Sequence, residues 1–178
     1  MQVYNTLTRT HEPLLPQADG KVGLYLCGPT VQSEPHMGHG RSSVAFDVLW
    51  RYLEWLGNDV VFVRNVTDVD DKIIARATET GRTTDEVAAE AFEAFTAGYT
   101  GLGNRPPTVE PRATEHIAQM VALIEELIKR GHAYAVDGDV YFSVASFPDY
   151  GKLSGNSVED LVAGNRIEPG DKKRAPAD

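Results

Sequence analysis

A turn that carries two histidines joins a short apolar run to a long amphipathic one. Residues 22–26 form the apolar run, residues 27–30 (CGPT) and 35–39 (PHMGH) form the turn, and residues 44–56 show helical spacing. A strand that enters a helix through such a turn points free backbone N–H groups and the positive end of the helix dipole at one place. The pattern predicts a phosphate-binding turn and therefore a nucleotide site.

The segments around this turn predict an α/β fold. Residues 23–27 indicate a buried strand, and residues 60–63 indicate a second, continuous apolar strand. Between them Gly57 stands where a left-handed helix cap belongs. The apolar stripe of the intervening helix is predicted to be Ala45, Val48, Leu49, Tyr52, Leu53 and Leu56. Strand, helix and strand make a βαβ unit that begins a parallel sheet, and ligands collect at the carboxyl ends of such strands.

The remaining segments predict helices, a hairpin and a loop. Residues 84–99 indicate a helix, and a second helix runs from Thr114 to Gly131. Residues 133–136 and 140–144 flank Asp-Gly-Asp and predict a hairpin, whereas residues 171–178 look like a loop. The stripe of the second helix is expected to be core; it consists of Ile117, Met120, Val121, Ile124, Leu127 and Ile128.

Composition and charge restrict the classes of function. The 178 residues carry 26 acidic and 17 basic side chains, a net charge of −9, which argues against a main nucleic-acid-binding surface. No apolar run approaches the roughly 20 residues that a membrane span needs. The amino terminus lacks the order of a secretory signal, and the single cysteine fits a reducing cytoplasm.

The two histidines have a structural and a functional interpretation. His36 and His39 are three residues apart at a helix start, so they share a face. One or both could simply cap the turn, which is the commoner role for such a pair. Pro35 forces an extended approach, and Gly38 lets a ligand come near the backbone. These two features favour a role in binding a ligand.

Two further features leave alternatives open. Cys27 ends a strand beside the turn, where a lone cysteine is more often a small hydrophobe than a metal ligand. The acidic cluster at residues 65–72 could bind a divalent ion, contact an amine or ribose, or cap the next helix. Capping by Thr67 or Asp68 is the simplest of these explanations.

At these motifs the chain resembles cysteinyl-tRNA synthetase, a class I aminoacyl-tRNA synthetase. The HIGH-type motif at 35–39 indicates class I, and the cysteine before Gly-Pro-Thr with the block from 65 to 72 narrows the resemblance to this family or to the cysteine ligase of mycothiol synthesis. The intact leader at residues 5–9 (NTLTR) and the block at residues 108–117 favour the synthetase over the mycothiol-type ligase. The matching segments are residues 3–9, 25–31, 35–39, 45–49, 63–74, 108–117 and 147–155.

The resemblance implies a fold and a domain organisation. Residues 1–107 would form the amino-terminal half of a class I catalytic domain, a partial Rossmann-like parallel sheet. Residues 108–178 would form a connective insertion, truncated at its end. The remaining zinc ligands and the KMSKS-type loop would lie beyond Asp178, so the chain alone is expected to be inactive.

The resemblance also implies a reaction and its residues. ATP, with Mg, would activate cysteine to cysteinyl-adenylate, and the cysteinyl group would pass to tRNA. His36 and His39 would stabilise charge on the α-phosphate, and Cys27 would ligate zinc. The ATP-binding residues would be Pro35, His36, Gly38 and His39, and the cysteine-binding residues would be Gly28, Thr30 and Thr67.

Other interpretations of the chain stay open at this point. The family usually has Tyr-Asp where this chain has Gln32 and Ser33. A stand-alone paralogue that binds a nucleotide or a partner protein without catalysis is one alternative, and a mycothiol-type ligase is another. An exposed sheet edge is also expected to favour self-association.

Overall fold

The computed structural model describes residues 1–17, 20–158 and 172–178, in two compact units. One unit is Leu15–Ile117; the other combines Met1–Leu14 with Ala118–Asp178. The elements in chain order are β1 (Gln2–Asn5), β2 (Thr10–Pro13), β3 (Lys21–Leu26), α1 (Met37–Trp55), β4 (Asp59–Arg64), α2 (Asp71–Thr80), α3 (Thr84–Gly101), a 3-10 turn (Thr114–His116), α4 (Ile117–Lys129), β5 (Ala133–Val136), β6 (Asp139–Phe142) and a second 3-10 turn (Val144–Ser146).

The predicted βαβ unit is present in the Leu15–Ile117 unit. Strands β3 and β4 pair in parallel, from Lys21 opposite Asp59 to Leu26 opposite Arg64, and α1 connects them. A returning segment follows the other edge of β4, where Val109 forms a parallel bridge with Val63, and just past the strand Arg112 forms one with Val66. Parallel pairing places the residues after Leu26 beside those after Arg64, which positions the candidate site.

The first strand is less buried than the sequence predicts. In β3 only Val22 is buried, and Tyr25 is 63% exposed, so the prediction of residues 23–27 as a buried strand is wrong. A continuous apolar run is buried only where both faces of a sheet are covered. Here Trp50 of α1 packs on Phe62 of β4, at 5.1 Å between ring centroids. The described residues leave much of β3 uncovered.

Helix α1 buries a different face from the one that the sequence predicts. Ser43, Asp47, Trp50 and Leu53 are buried, whereas Val48 of the predicted stripe is 59% exposed. The stripe prediction is therefore correct at Leu53 and wrong for most of its other members. The cause is a polar contact with the segment after α3, which pattern analysis does not detect.

That contact includes four hydrogen bonds to residues 103–105, one of which runs from the Arg105 guanidinium to Glu54 at 2.9 Å. Asn104 donates to the Ser43 hydroxyl at 2.7 Å, the Arg105 backbone N–H donates to Asp47 at 3.0 Å, and Arg51 donates to the Gly103 carbonyl at 3.0 Å. Burial raises the pKa of Asp47, but the hydrogen bonds and charges of Arg51 and Arg105 outweigh it and hold this pKa below its usual value. Ser43 and Asp47 of α1 thus stay buried because their side chains have hydrogen-bond partners.

Helices α2 and α3 form the main core with the strand ends. Helix α2 begins after Asp70, whose carboxylate accepts from the Lys72 N–H at 2.9 Å, so the prediction of Thr67 or Asp68 as its cap is wrong. Asp68 instead accepts from the backbone and hydroxyl of Thr114. The core cluster comprises Val31, Val66, Ile73, Ala77, Val87, Ala88, Ala91, Phe95 and Tyr99.

The other unit contains two hairpins and α4. Strands β5 and β6 pair in antiparallel fashion around Asp137 and Gly138, whose φ angles of 49° and 87° suit a tight hairpin turn, so the predicted hairpin is confirmed. Helix α4 has no buried residue, and Val121 of its apolar stripe is 47% exposed. The prediction of this stripe as core is wrong, because its residues are covered only in part and none of them is buried.

Two predictions concern the end of the chain and membranes. The predicted loop at 171–178 is described from Lys172 onward and contains no helix or strand there, while residue 171 lies outside the described residues. Among the described helices, none combines the length and the apolar character that crossing a bilayer requires.

We expect Ile73→Ala to destabilise the Leu15–Ile117 unit by about 2–5 kcal/mol, because Ile73 is 1% exposed inside the core cluster. The neighbouring change Ile74→Ala is the matched control, since Ile74 is 52% exposed, and we expect about 0.5 kcal/mol or less from it. Urea unfolding of the two variants measures the difference. Equal losses would contradict the assignment of this core.

Candidate active site at the ends of β3 and β4

The two histidines at the start of α1 form a reciprocal cap. His36 is the N-cap residue, with extended φ of −121°, and its Nδ1 accepts from the Gly38 N–H at 3.1 Å. His39 Nδ1 accepts from the His36 backbone N–H, also at 3.1 Å, and the two rings stack with centroids 3.8 Å apart. The capping role proposed for such a pair is therefore correct, and it uses one nitrogen of each ring.

The cap fixes the tautomer of both rings. A neutral imidazole whose Nδ1 accepts a hydrogen bond carries its hydrogen on Nε2. His36 and His39 therefore each keep an Nε2–H donor. Capping and ligand binding use opposite sides of each ring, so the two interpretations are compatible.

The backbone donors at this helix start are mostly occupied. The Gly38 N–H binds the His36 ring, and the N–H groups of His39 and Gly40 bind the His36 carbonyl at 2.9 and 3.3 Å. The expectation that free backbone N–H groups point at a phosphate is therefore wrong for these three. The structure offers an anion the imidazole Nε2–H groups as hydrogen-bond donors and the positive end of the helix dipole as a favourable electrostatic field.

The surroundings of His39 favour its neutral form. Its ring contacts the Phe95 ring edge-on at 4.8 Å between centroids. Burial lowers the pKa of His39, and the nearby His36 lowers it further. A neutral His39 keeps Nδ1 as an acceptor, so the cap and the donor state both persist at neutral pH.

Beside the histidines, the ends of β3 and β4 lie in direct contact. The Gly28 N–H donates to Asn65 Oδ1 at 2.8 Å, and the Thr67 N–H donates to the Pro29 carbonyl at 3.2 Å. Thr30 and Thr67 form an isolated parallel bridge. A Cβ at position 28 would lie 1.6 Å from the Asn65 carbonyl oxygen, so only glycine fits there.

Two cavities meet at the histidine pair and Tyr99. Cys27, Gly28, His39, Arg64 and Tyr99 line a cavity of about 170 Å³ together with Leu26, Pro29, Ser42 and Ser43. A second, mainly apolar cavity of about 600 Å³ lies on the His36 side of the histidine pair. Its lining includes Pro35, His36, Gly40, Gly98 and Leu102.

The structure thus brings most of the predicted site residues together. Cys27, Gly28 and His39 share one cavity, and His36 is stacked on His39 at its border. Thr30 and Thr67 do not line this cavity; they pair with each other next to it, and Asn65, which accepts from the Gly28 N–H, donates to the Thr67 hydroxyl at 3.2 Å. Gln32 and Ser33 lie apart from it, in a third cavity of about 420 Å³ with Arg76 and Glu90.

Sequence analysis missed a charged group in the wall of the smaller cavity. Arg64 is 8% exposed, pairs with Glu110 at 2.7 Å and lies 4.4 Å from the Tyr99 ring centroid. Burial raises the pKa of Tyr99, the Arg64 charge opposes this rise, and Glu110 adds to it. A charged residue at the end of an apolar strand was a usable signal for Arg64, but no local pattern marks Glu110.

The described residues do not form a metal site by themselves. Cys27 is exposed, and no group of three or more histidine, cysteine or acidic side chains in the described ranges is placed to hold a metal ion. A zinc ion requires four ligands, of which Cys27 could be one. The residues present therefore do not fit a complete zinc site.

Comparison with known proteins identifies the family. Residues 13–178 match the model of the family described as "tRNA synthetases class I (C) catalytic domain". The chain belongs to this family. Its sequence is also similar to proteins named cysteine–tRNA ligase, with 55% identity for that of Oleidesulfovibrio alaskensis, 52% for that of Halorhodospira halophila and 52% for that of Clostridioides difficile.

These comparisons cover the whole chain but only part of each relative. The three alignments include 100% of this chain and 37%, 39% and 38% of the respective relatives. Among solved structures, the ternary complex of agnB2 LeuRS, tRNA and LeuAMS from Agrobacterium radiobacter K84 is similar, with a TM-score of 0.58 at 17% identity. That similarity covers 66% of this chain and 16% of the other, and it supports the class I fold.

The lowered pKa of His39 predicts a specific pH dependence of stability. Between this lowered value and about 6.5, the unfolded chain binds more protons than the folded chain, so the free energy of unfolding falls as pH falls through that window. The variant His39→Gln keeps an acceptor for the capping box but does not titrate, so we expect a shallower pH dependence. Urea unfolding between pH 5 and 7 measures both slopes. Identical slopes would contradict the prediction.

A second prediction concerns the close approach at Gly28. We expect Gly28→Ala to destabilise the protein by about 1–3 kcal/mol, because the new Cβ must displace the Asn65 backbone. Gly23→Ala is the control, since a Cβ at that strand position meets nothing within 4 Å. Thermal unfolding of both variants compares them. A loss in Gly28→Ala no greater than in Gly23→Ala would refute the close contact.

Proposed function

We propose that this chain supplies the amino-acid-activating half of a cysteine–tRNA ligase. In this proposal the longer protein uses ATP to convert cysteine to cysteinyl-adenylate and then transfers the cysteinyl group to tRNA. The observation that carries it is the histidine pair, whose Nδ1 atoms are used in the cap, which leaves the Nε2–H donor of His39 beside Cys27 and Gly28 and that of His36 beside the larger cavity.

The proposed chemistry follows from the charges of the reactants. The carboxylate of cysteine is ionised at neutral pH, so it attacks the α-phosphate of ATP without a general base. Negative charge builds on the α-phosphate oxygens as pyrophosphate departs. Donors already oriented towards that charge stabilise the transition state more than the ground state, and this is the role proposed for His36 and His39.

Substrate binding is divided between the two sides of the histidine pair. We propose that ATP, with Mg bound to its phosphates, is contacted by Pro35, His36, Gly38 and His39. Gly28, Thr30 and Thr67 are proposed to bind cysteine, and Cys27 is proposed as one thiolate ligand of a zinc ion. Their shared location at the ends of two parallel strands supports this division.

The organisation of the whole protein is part of the same proposal. The parallel β3–α1–β4 unit supports a Rossmann-like sheet, with residues 1–107 as the first half of the catalytic domain and residues 108–178 as a connective insertion. Cytoplasmic location and tRNA binding are proposed from the family. Self-association through the open edge of β3 stays a prediction.

The comparisons favour a tRNA ligase over the other interpretations. The three relatives named above carry the name cysteine–tRNA ligase and align over the full chain, which supports this function over a mycothiol-type ligase. Gln32 and Ser33, which favour a non-catalytic paralogue, line a cavity separate from the histidine pair.

The proposal predicts the effect of removing one imidazole donor. In the full-length protein that contains this chain, His36→Asn should lower the kcat of cysteine-dependent ATP–pyrophosphate exchange by about 10²- to 10³-fold. Asparagine preserves the helix cap but is too short to replace the Nε2–H donor. His11→Asn is the control, because His11 lies in β2 of the other unit. A wild-type protein without cysteine-dependent exchange, or a fully active His36→Asn variant, would refute the proposal.

A further inference from the structure

We propose that Asn65 is a positioning residue whose side-chain amide turns the Thr67 hydroxyl into a hydrogen-bond donor for a carboxylate oxygen of the amino-acid substrate. This inference rests on the proposed function and extends it to a residue and a direction of hydrogen bonding. It follows from three hydrogen-bonding groups in a row, and each of them fixes the next.

The first step fixes the orientation of the Asn65 amide. A backbone N–H can only donate, so the group that faces the Gly28 N–H at 2.8 Å must be the carbonyl oxygen Oδ1. The NH₂ group then occupies the other position. The hydrogen-bond network thus determines which end of the Asn65 amide is the oxygen and which is the nitrogen.

The second step fixes the direction of the Thr67 hydroxyl. The Asn65 NH₂ group can only donate, and it lies 3.2 Å from Thr67 Oγ1. The Thr67 oxygen is therefore the acceptor in this bond, and its own hydrogen must point elsewhere. A ligand oxygen beside Thr67 would receive that hydrogen.

The third step concerns rigidity. The Thr67 N–H binds the Pro29 carbonyl at 3.2 Å, and the Val31 N–H binds the Thr67 carbonyl at 3.1 Å. The missing Cβ of Gly28 lets the Asn65 backbone lie against it. These contacts hold the backbone at both strand ends, and a turn of the Asn65 amide would break its bonds to the Gly28 N–H and to the Thr67 hydroxyl.

The chemical class of the ligand group follows from this polarity. A site that presents an O–H donor binds an oxygen anion or a carbonyl group, and charged acceptors make the stronger bond. In an amino-acid-activating enzyme the matching group is the substrate carboxylate. Orienting that carboxylate is also what the attack on the α-phosphate of ATP requires.

The decisive variant is Asn65→Asp, which keeps the shape of the side chain and reverses one hydrogen bond. One aspartate oxygen still accepts from the Gly28 N–H, but the other can only accept, so Thr67 must donate to it and loses its hydrogen for the ligand. In the full-length protein we expect the KM for cysteine to rise about 10- to 100-fold, with the KM for ATP within about twofold of wild type.

Asn58→Asp is the matched control for the added charge and the lost amide. Asn58 donates through Nδ2 to the Leu53 carbonyl at 2.9 Å at the end of α1, away from the strand ends. It should lose stability without a change in the KM for cysteine. A KM shift in Asn58→Asp equal to that in Asn65→Asp would overturn the inference.

A double-mutant cycle with Thr67→Val separates hydrogen-bond direction from simple charge repulsion. If Asn65 acts through the Thr67 hydroxyl, adding Asn65→Asp to Thr67→Val raises the KM for cysteine little further, so the two effects are strongly non-additive. Repulsion between the new carboxylate and the substrate would act without Thr67. Additive effects would therefore overturn the inference.

Hydrogen exchange distinguishes failure of this inference from failure of the proposed function. Absence of cysteine-dependent ATP–pyrophosphate exchange in the wild type would refute the proposed function, whatever role Asn65 has. Independently, deuterium uptake by the peptide containing Gly28 should increase in Asn65→Ala, which loses the acceptor, and stay low in Asn65→Asp. Equal uptake in wild type and both variants would show that Asn65 does not hold the Gly28 N–H.

Discussion

The in-register parallel pairing of β3 with β4 is the constraint on which the site depends. It places the Gly28 N–H beside Asn65 and brings Thr30 opposite Thr67. A parallel pair needs a crossover connection, and α1 supplies it, so the same pairing sets the histidine turn at the mouth of the two strands. The absence of a side chain at position 28 allows this contact, because a Cβ there would overlap the Asn65 backbone.

Structure and function share the same side chains at the start of α1. His36 and His39 satisfy backbone donors through Nδ1, which fixes their tautomer and stacks their rings. Capping leaves each ring able to bind a ligand, because each imidazole has a second nitrogen. A helix cap is therefore also a pair of oriented Nε2–H donors. Asn65 also has two roles, because its Oδ1 accepts from the Gly28 N–H while its NH₂ group orients the Thr67 hydroxyl.

Local patterns predicted the elements better than their buried faces. The βαβ unit, α3 and the β5–β6 hairpin follow from apolar periodicity and from Asp-Gly turn chemistry, which act over a few residues. The buried face of α1 did not follow, because Asp47 is buried by hydrogen bonds from residues far along the chain. The stripe of α4 was predicted as core from its spacing alone, yet spacing does not reveal what covers a helix.

The sequence by itself determined the strand–turn–helix, the histidine pair within it and the family, since these depend on residue type at short spacing. Tertiary structure decided which nitrogen of each histidine is free and why position 28 must be glycine. It also decided how Arg64 meets Glu110 across 46 positions of sequence and how Asn65 orients Thr67. Hydrogen-bond direction and close approach depend on partners that only the pairing of β3 with β4 brings together.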